Sequence, residues 1–474
     1  MNWNFSLENF NTVWGQLIQI GIVLIFLFLG NFLRNIIPFL KRGLIPSALI
    51  GGTLLLVFNI ILKNLFNFEL VSKNFMQIIT YHGLGIGFIA MTLKINKEKK
   101  NISLIKSVEN GALTGATYML QAFVGIAITV IFFIITKTTN NVIWADSGVL
   151  LPLAFGQGPG NALTWDINFS NLLDDSGNNL FTGNGSFGLT LASIGFIVAS
   201  LFGILYINYF KKRGLIQIRK HNDNLKLQSL ELYDDEIPDS ESVDKFSIQL
   251  GIVFICYVAT FGIMSLLGSI SDFTNSIAWG FNFIWGVLCA NIFKLIHKFL
   301  RKKKILKRTY INNYQMDRIS GFAFDLMIVA GVASIEINDV KRYIIPLIVL
   351  CAIGTLVTFI YVRFVTKRKF KGYEHEMFVI NFGTLTGTAS NGMILVKEID
   401  PNYETPAANI FVVSQVPAML FVAPLLLLLS FSSKSLLSTL ICMGIFILLF
   451  IIYNLFIFRD VIFKKKNHWF SQWF

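Results

Sequence analysis

Two tracts decide the reading of this chain: FGQGPGNALTW at Phe155–Trp165 and FGTLTGTASNG at Phe382–Gly392. They align without a gap on Phe155 and Phe382, Gly156 and Gly383, Gly160 and Gly387, and Ala162 and Ala389. Both are rich in glycine, hydroxyl and amide groups, yet both interrupt strongly apolar sequence. The chain is 54% hydrophobic and only 14% charged, with a mean hydropathy of +0.63, a balance no single water-soluble globule can hold. Apolar runs of roughly 18–25 residues recur along it, the length a helix needs to cross about 30 Å of hydrocarbon. Strands of a transmembrane barrel would be only about 10 residues long and alternate in polarity, so the fold class is an all-α integral membrane protein. The first run, Val13–Leu33, is too long for the core of a signal peptide and lacks a small-residue cleavage site, so it is expected to span.

The runs predict eleven spanning helices, at 13–33, 44–63, 75–93, 106–135, 186–210, 246–269, 277–297, 319–336, 343–364, 406–430 and 436–458. The two tracts lie in the apolar stretches left over, 148–165 and 376–396, and are expected to be re-entrant hairpins that enter and leave on one side. With the N-terminus outside and the C-terminus cytoplasmic, 34 of the 40 Lys and Arg residues fall at inside ends, as the positive-inside rule requires. Counting either hairpin as a full span would invert every later loop and destroy that asymmetry. Five spans and a hairpin then make a first unit, 1–210, and the polar stretch 211–245 is a cytoplasmic linker. Five more spans and a hairpin make a second unit of opposite orientation, 246–430, and 431–474 adds a further helix and a basic tail. FIAMTLKINKEKK (88–100) resembles VAGVASIEINDVKR (329–342), each closing the third helix of its unit. The pattern is an inverted repeat, and paired interruptions at matching positions of such a repeat point to a transporter's binding site.

The residue types at the tracts suit that role. Non-helical backbone at membrane depth is tolerated only where protein buries it or a wet cavity adjoins it. Helix N-termini there offer N–H groups to a carboxylate, while C-terminal carbonyls suit a cation. Gly156, Gly158, Gly160, Gly383 and Gly387 allow tight turns, and Pro159 prevents a continuous helix. Gln157, Asn161 and Thr164 in one tract, and Thr386, Thr388, Ser390 and Asn391 in the other, supply polar groups for a solute; Thr384 is a candidate Na+ ligand. Small residues and threonines also serve plain helix packing, as Gly111 and Gly115 are expected to do. Asp325 lies at membrane depth in SGFAFDLMIVAG, where an ionisable group marks an ion or substrate path or pairs with a neighbour such as Arg318. Gln121 and Gln415 are further Na+ candidates, or simple helix contacts. Glu109 reads as a carboxylate near the interface.

Other chemistry is absent. Cys256, Cys289, Cys351 and Cys442 stand singly in apolar runs and read as core residues, and the five histidines show no metal-ligand spacing. The net charge of +13 is spread over short loops, a topogenic pattern and not a nucleic-acid footprint. No nucleophile–base pair suggests an enzyme. A passive channel, and a carrier coupled to H+ through Asp325, remain open alternatives to Na+-coupled transport.

Four stretches, IPSALIGG (45–52), FGQGPGNALTW, GSFGLTLASIG (185–195) and FGTLTGTASNGMIL with the following DPNYETPAA, together resemble the bacterial sodium/glutamate symporter family. The resemblance implies two inverted five-helix repeats with re-entrant hairpins, a homodimer in the bacterial plasma membrane, and an elevator-like movement coupled to Na+. It also implies a glutamate-like substrate, glutamate itself or a related amino acid or carboxylate. Gln157 stands where glutamate carriers of the family have a histidine, and the second tract lacks their proline.

Overall fold

A computed structural model describes residues 13–95, 103–136, 143–172, 179, 181–216 and 244–460. Most of the linker expected at 211–245, the tail beyond 460, and the loop residues Lys97, Lys99, Lys100 and Lys137 lie outside the described residues. The regular structure of the described residues is helical, without a β-strand.

Ten helices are long and apolar enough to cross a membrane. They are α1 (Val13–Ile36), α3 (Ser47–Phe66), α4 (Lys73–Leu93), α5 (Leu104–Thr136), α8 (Ser186–Lys212), α9 (Lys245–Gly268), α11 (Asn282–Lys302), α14 (Ile344–Lys369), α17 (Ala407–Ser432) and α18 (Leu436–Ile457). The eleventh expected span is a helix too, α12 (Asn313–Ala333), but Asp317, Arg318 and Asp325 leave it less apolar than the rest. The span expected at 277–297 is displaced. A short α10 (Asp272–Gly280), opened by a Ser271–Thr274 capping box, ends at Phe281 (φ −124°, ψ 45°), and α11 starts afresh at Asn282. Minor helices are α2 (Pro38–Arg42) and α13 (Ile337–Arg342).

The helices pack in two groups. In the first, α4 and α12 form the most extensive helix pair, with α1 and α3 against α12 and α9 and α11 against α4. The packing partners are exchanged: α4 rests on α11 and α9 as α12 rests on α3 and α1. The α4–α12 pair is antiparallel, because Thr80 lies at Met327 and Gly331 while Gly87 lies at Phe324. In the second group α5 is central, flanked by α14, α17 and α18. A Cβ at Gly111 would come within 2.8 Å of the Ala418 nitrogen, so α5 and α17 approach as closely as the spacing of Gly111 and Gly115 predicts. α5 and α14 run antiparallel, with Gln121 bonded to Thr358 and Lys106 donating to the Lys369 carbonyl. α14 and α18 run parallel, since Tyr361 donates to Asn454 (3.0 Å) and Phe364 meets Phe458 one turn on.

The two groups touch along α8, α10 and the segments around the tracts. At one end the connection from α12 to α14 clasps the start of α8. The Glu336 amide donates to Ser186 Oγ (2.9 Å), Ser186 donates to Asp339 (3.4 Å), and Lys73 pairs with Asp339 (3.4 Å). At the other end α18 is fastened. Glu109, fully buried, meets Lys369 at 2.9 Å, Lys106 at 3.0 Å and Arg459 at 3.8 Å, and Lys369 also meets Asp460 at 3.0 Å. Glu109, near the start of α5, is thus a buried hub of ion pairs and not a snorkelling or loop carboxylate. The four cysteines are free and buried.

Candidate functional site

Each tract is a broken helix. The first is α6 (Leu150–Gln157), then Gly158, then α7 (Pro159–Ser170), with a 3-10 turn at Ala145–Val149 leading in. Gly158 has φ +82° and ψ −174°, a conformation that side chains disfavour and glycine accepts. Pro159 then opens α7, where its missing N–H leaves no bond unmade. The second is α15 (Glu374–Thr386), then Gly387 and Thr388, then α16 (Ala389–Lys397). α15 and α16 fold back on each other so closely that a Cβ at Gly392 would collide with the Ile380 carbonyl and the Thr384 hydroxyl.

The two breaks meet. A Cβ at Gly158 would lie 3.6 Å from Thr388 Cγ2 and 4.0 Å from Met327 Cε of α12. Two helix C-termini, of α6 and α15, and two N-termini, of α7 and α16, therefore converge, each leaving backbone groups without intrahelical partners. The C-terminal carbonyls attract a cation and the N-terminal amides an anion. α8 closes one side, with Gly195 against the Thr386 carbonyl and Ala199 against Gly387, and Leu84 of α4 packs at Gly160.

The expected site residues divide by place. Gly156, Gln157, Gly158, Gly160, Asn161 and Thr164 flank the first break, and Thr384, Thr386, Gly387, Thr388, Ser390 and Asn391 flank the second. Asn161 donates to Gln157 Oε1 across the first break (2.7 Å), and Asn161 Oδ1 is buried without a partner among the described residues. Thr164, Thr384 and Thr386 donate to carbonyls one turn back in their own helices, at 2.9, 2.7 and 2.7 Å, leaving oxygen lone pairs free. Gln157, Thr164 and Thr388 are half-buried and Ser390 is exposed. Gln121 reaches the second tract from α5, donating to the Leu385 carbonyl (3.0 Å) and to Thr358 Oγ1 (2.8 Å).

Two candidates stand apart. Asp325 projects from the exposed face of α12, beside Gly321 and Phe322, and makes no hydrogen bond or ion pair among the described residues. Arg318 bonds Tyr314 instead (2.8 Å). Gln415 donates to the Phe411 carbonyl of its own helix (3.2 Å). Its neighbour Ser414 faces inward and joins a network that pattern reading missed: Asn110 donates to Ser414 Oγ (2.8 Å), and Asn381 donates to Asn110 Oδ1 (2.9 Å). The only trace of it in the sequence is one asparagine in the apolar run MFVINFG. Asp166 was also overlooked. It lies buried one residue beyond the first tract and accepts from the Gly188 amide at the start of α8 (2.8 Å).

Compared with known proteins, residues 14–403 match the family model described as sodium/glutamate symporter. No curated protein matches the chain.

Proposed function

The chain belongs to the sodium/glutamate symporter family, and from that premise we propose that it is a secondary transporter carrying L-glutamate, or a related amino acid or carboxylate, together with Na+. It is a multi-pass membrane protein, with ten helices among the described residues long and apolar enough to span. The observation that carries the proposal is the meeting of the two broken helices at Gly158 and Thr388. The amide ends of α7 and α16 suit the substrate's carboxylates, with Gln157, Asn161, Thr164, Thr388, Ser390 and Asn391 offering polar contacts. The carbonyl ends of α6 and α15, with Thr384 and Gln121, suit Na+. Asp325 and Gln415 stay in the proposal only as residues that motion could bring nearer.

Re-entrance of the tracts is our reading of the helix directions. From α4 to α12 the chain passes α5, α8, α9 and α11, and these crossings make α4 and α12 antiparallel only when the first tract returns to the side it left. Likewise α14 and α18 are parallel, as they are when the second tract turns back. The exchanged packing of α4 and α12 supports an inverted repeat. The spread of Lys and Arg favours an outside N-terminus and a cytoplasmic C-terminus. The limited contact between the two helix groups favours an elevator-type movement of the group holding the tracts, within a homodimer.

Sodium is a strong enough driver only in numbers. A tenfold Na+ gradient contributes about 1.4 kcal/mol, and each net charge moved inward about 2.3 kcal/mol per 100 mV. One Na+ with one glutamate anion moves no net charge, so steep accumulation calls for at least two Na+, one for each half. The test is uptake of radiolabelled L-glutamate into proteoliposomes under an imposed Na+ gradient, with the membrane potential set independently. We expect saturable, electrogenic, Na+-driven accumulation. Electroneutral uptake would remove the second Na+, uptake driven by a pH gradient alone would replace Na+ by H+, and non-saturating flux would make the protein a channel.

A further inference from the structure

At the end of α15 the side-chain nitrogen of Gln121 bridges a helix-terminal carbonyl and a buried threonine hydroxyl. Gln121 is 1% exposed and Thr358 is fully buried. The Gln121 amide nitrogen donates to the Leu385 carbonyl at 3.0 Å and to Thr358 Oγ1 at 2.8 Å. Leu385 is the penultimate residue of α15, so its carbonyl receives no N–H from a following turn and carries part of the negative end of the helix. A carbonyl can only accept, so the amide must present nitrogen to it unless a cation lies between them. The opposite atom, Gln121 Oε1, is then left buried without a donor among the described residues. Such an orphan is uncommon in folded proteins and calls for an explanation.

We infer that Gln121, Thr358 and the Leu385 carbonyl form a binding site for a dehydrated monovalent cation, which the Gln121 amide nitrogen closes whenever no cation is bound. Turning the amide over would set Gln121 Oε1 beside Leu385 O and Thr358 Oγ1. Three oxygens facing one another repel without a cation and coordinate one when it is present. The turn gives up the two bonds the amide nitrogen donates, to Leu385 O and Thr358 Oγ1, so it is unfavourable without a cation, and coordination of the cation must supply the difference that makes the turned state prevail. The adjoining threonine-rich segment of α15 ends at the break, so occupancy of this site bears directly on the second tract.

The inference rests on the cation-coupled reading above, and the experiment separates the two. Purified protein without substrate would be titrated with NaCl, at ionic strength held constant with choline chloride, and its thermal midpoint followed. Glutamate uptake would be measured over the same Na+ series. Wild type is expected to be stabilised by Na+, as any ligand of the folded state must do. Gln121→Met and Thr358→Val should each raise the half-saturating Na+ concentration at least tenfold in both measurements. Thr358→Ser, which restores the hydroxyl, should return it to within threefold of wild type. Folded Gln121→Met and Thr358→Val proteins with wild-type Na+ dependence would overturn this site and leave the transport proposal standing. A wild type with no Na+ response in either measurement would overturn both.

Discussion

Gly158 shows how one residue can fix a break. Its φ of +82° with ψ near 180° is open to glycine alone at low strain, so Gly158→Ala should cost about 1–3 kcal/mol. It would also push a methyl toward Thr388. Thermal unfolding in detergent should register the loss, and Na+-driven uptake should fall at least tenfold. Asn381→Ala should cost about 1–3 kcal/mol, because Asn110 Oδ1 then loses its donor in a buried setting; denaturation of the purified variant checks this. Both tracts were legible in the sequence because glycine, proline and amides are conspicuous inside apolar runs. Asn381, Asn110 and Ser414 were not, since their meaning lies in contacts between α5, α15 and α17 that no local pattern records. The same limit explains Asp325 and Gln415, whose residue types suggested ligation while their helix faces turn elsewhere.

Among the elements, the long apolar helices were read from hydropathy to within a few residues. The exceptions have physical causes: Phe281 ends α10 in an irregular conformation that composition does not signal, and α12 packs its apolar face on α4 and α3 while Asp317, Arg318 and Asp325 lie on exposed positions. The added helix α18 is more than a tenth apolar run, because its end supplies Arg459 and Asp460 to the hub at Glu109. Glu109→Gln should lower stability by about 3 kcal/mol, the lower end for a broken buried pair, since Asp460 still holds Lys369. The loss should show as a fall in thermal midpoint, larger than for Asp460→Asn. The Lys369 ammonium holds the Asp460 carboxyl below its ordinary value of 3.8. Its contribution is therefore present above that value and disappears as pH falls through the lower folded value. Exposure and salt keep it small, and Asp460→Asn should flatten the acid limb of a stability–pH profile only slightly.

At the scale of the whole molecule, the two helix groups meet at few places, and the clasp of Glu336 and Asp339 on Ser186 is one of them. Sliding of one group past the other requires that clasp to loosen or swing with the loop. A Ser186→Cys, Glu336→Cys double variant should form a disulfide under mild oxidant and lose at least tenfold in uptake, with recovery on reduction. Undiminished uptake by the cross-linked protein would count against relative motion there. The hub at the other end bears on how the chain is made. Glu109 lies in the first quarter of the sequence, while Lys369 and Arg459 come hundreds of residues later. During synthesis, the acidic group on α5 must wait for Lys369 until α14 is made, and for Arg459 until α18 is complete. The nascent first half is therefore unfinished however well its own helices insert, and a chain truncated before α18 leaves Glu109 without Arg459 and Lys369 without Asp460.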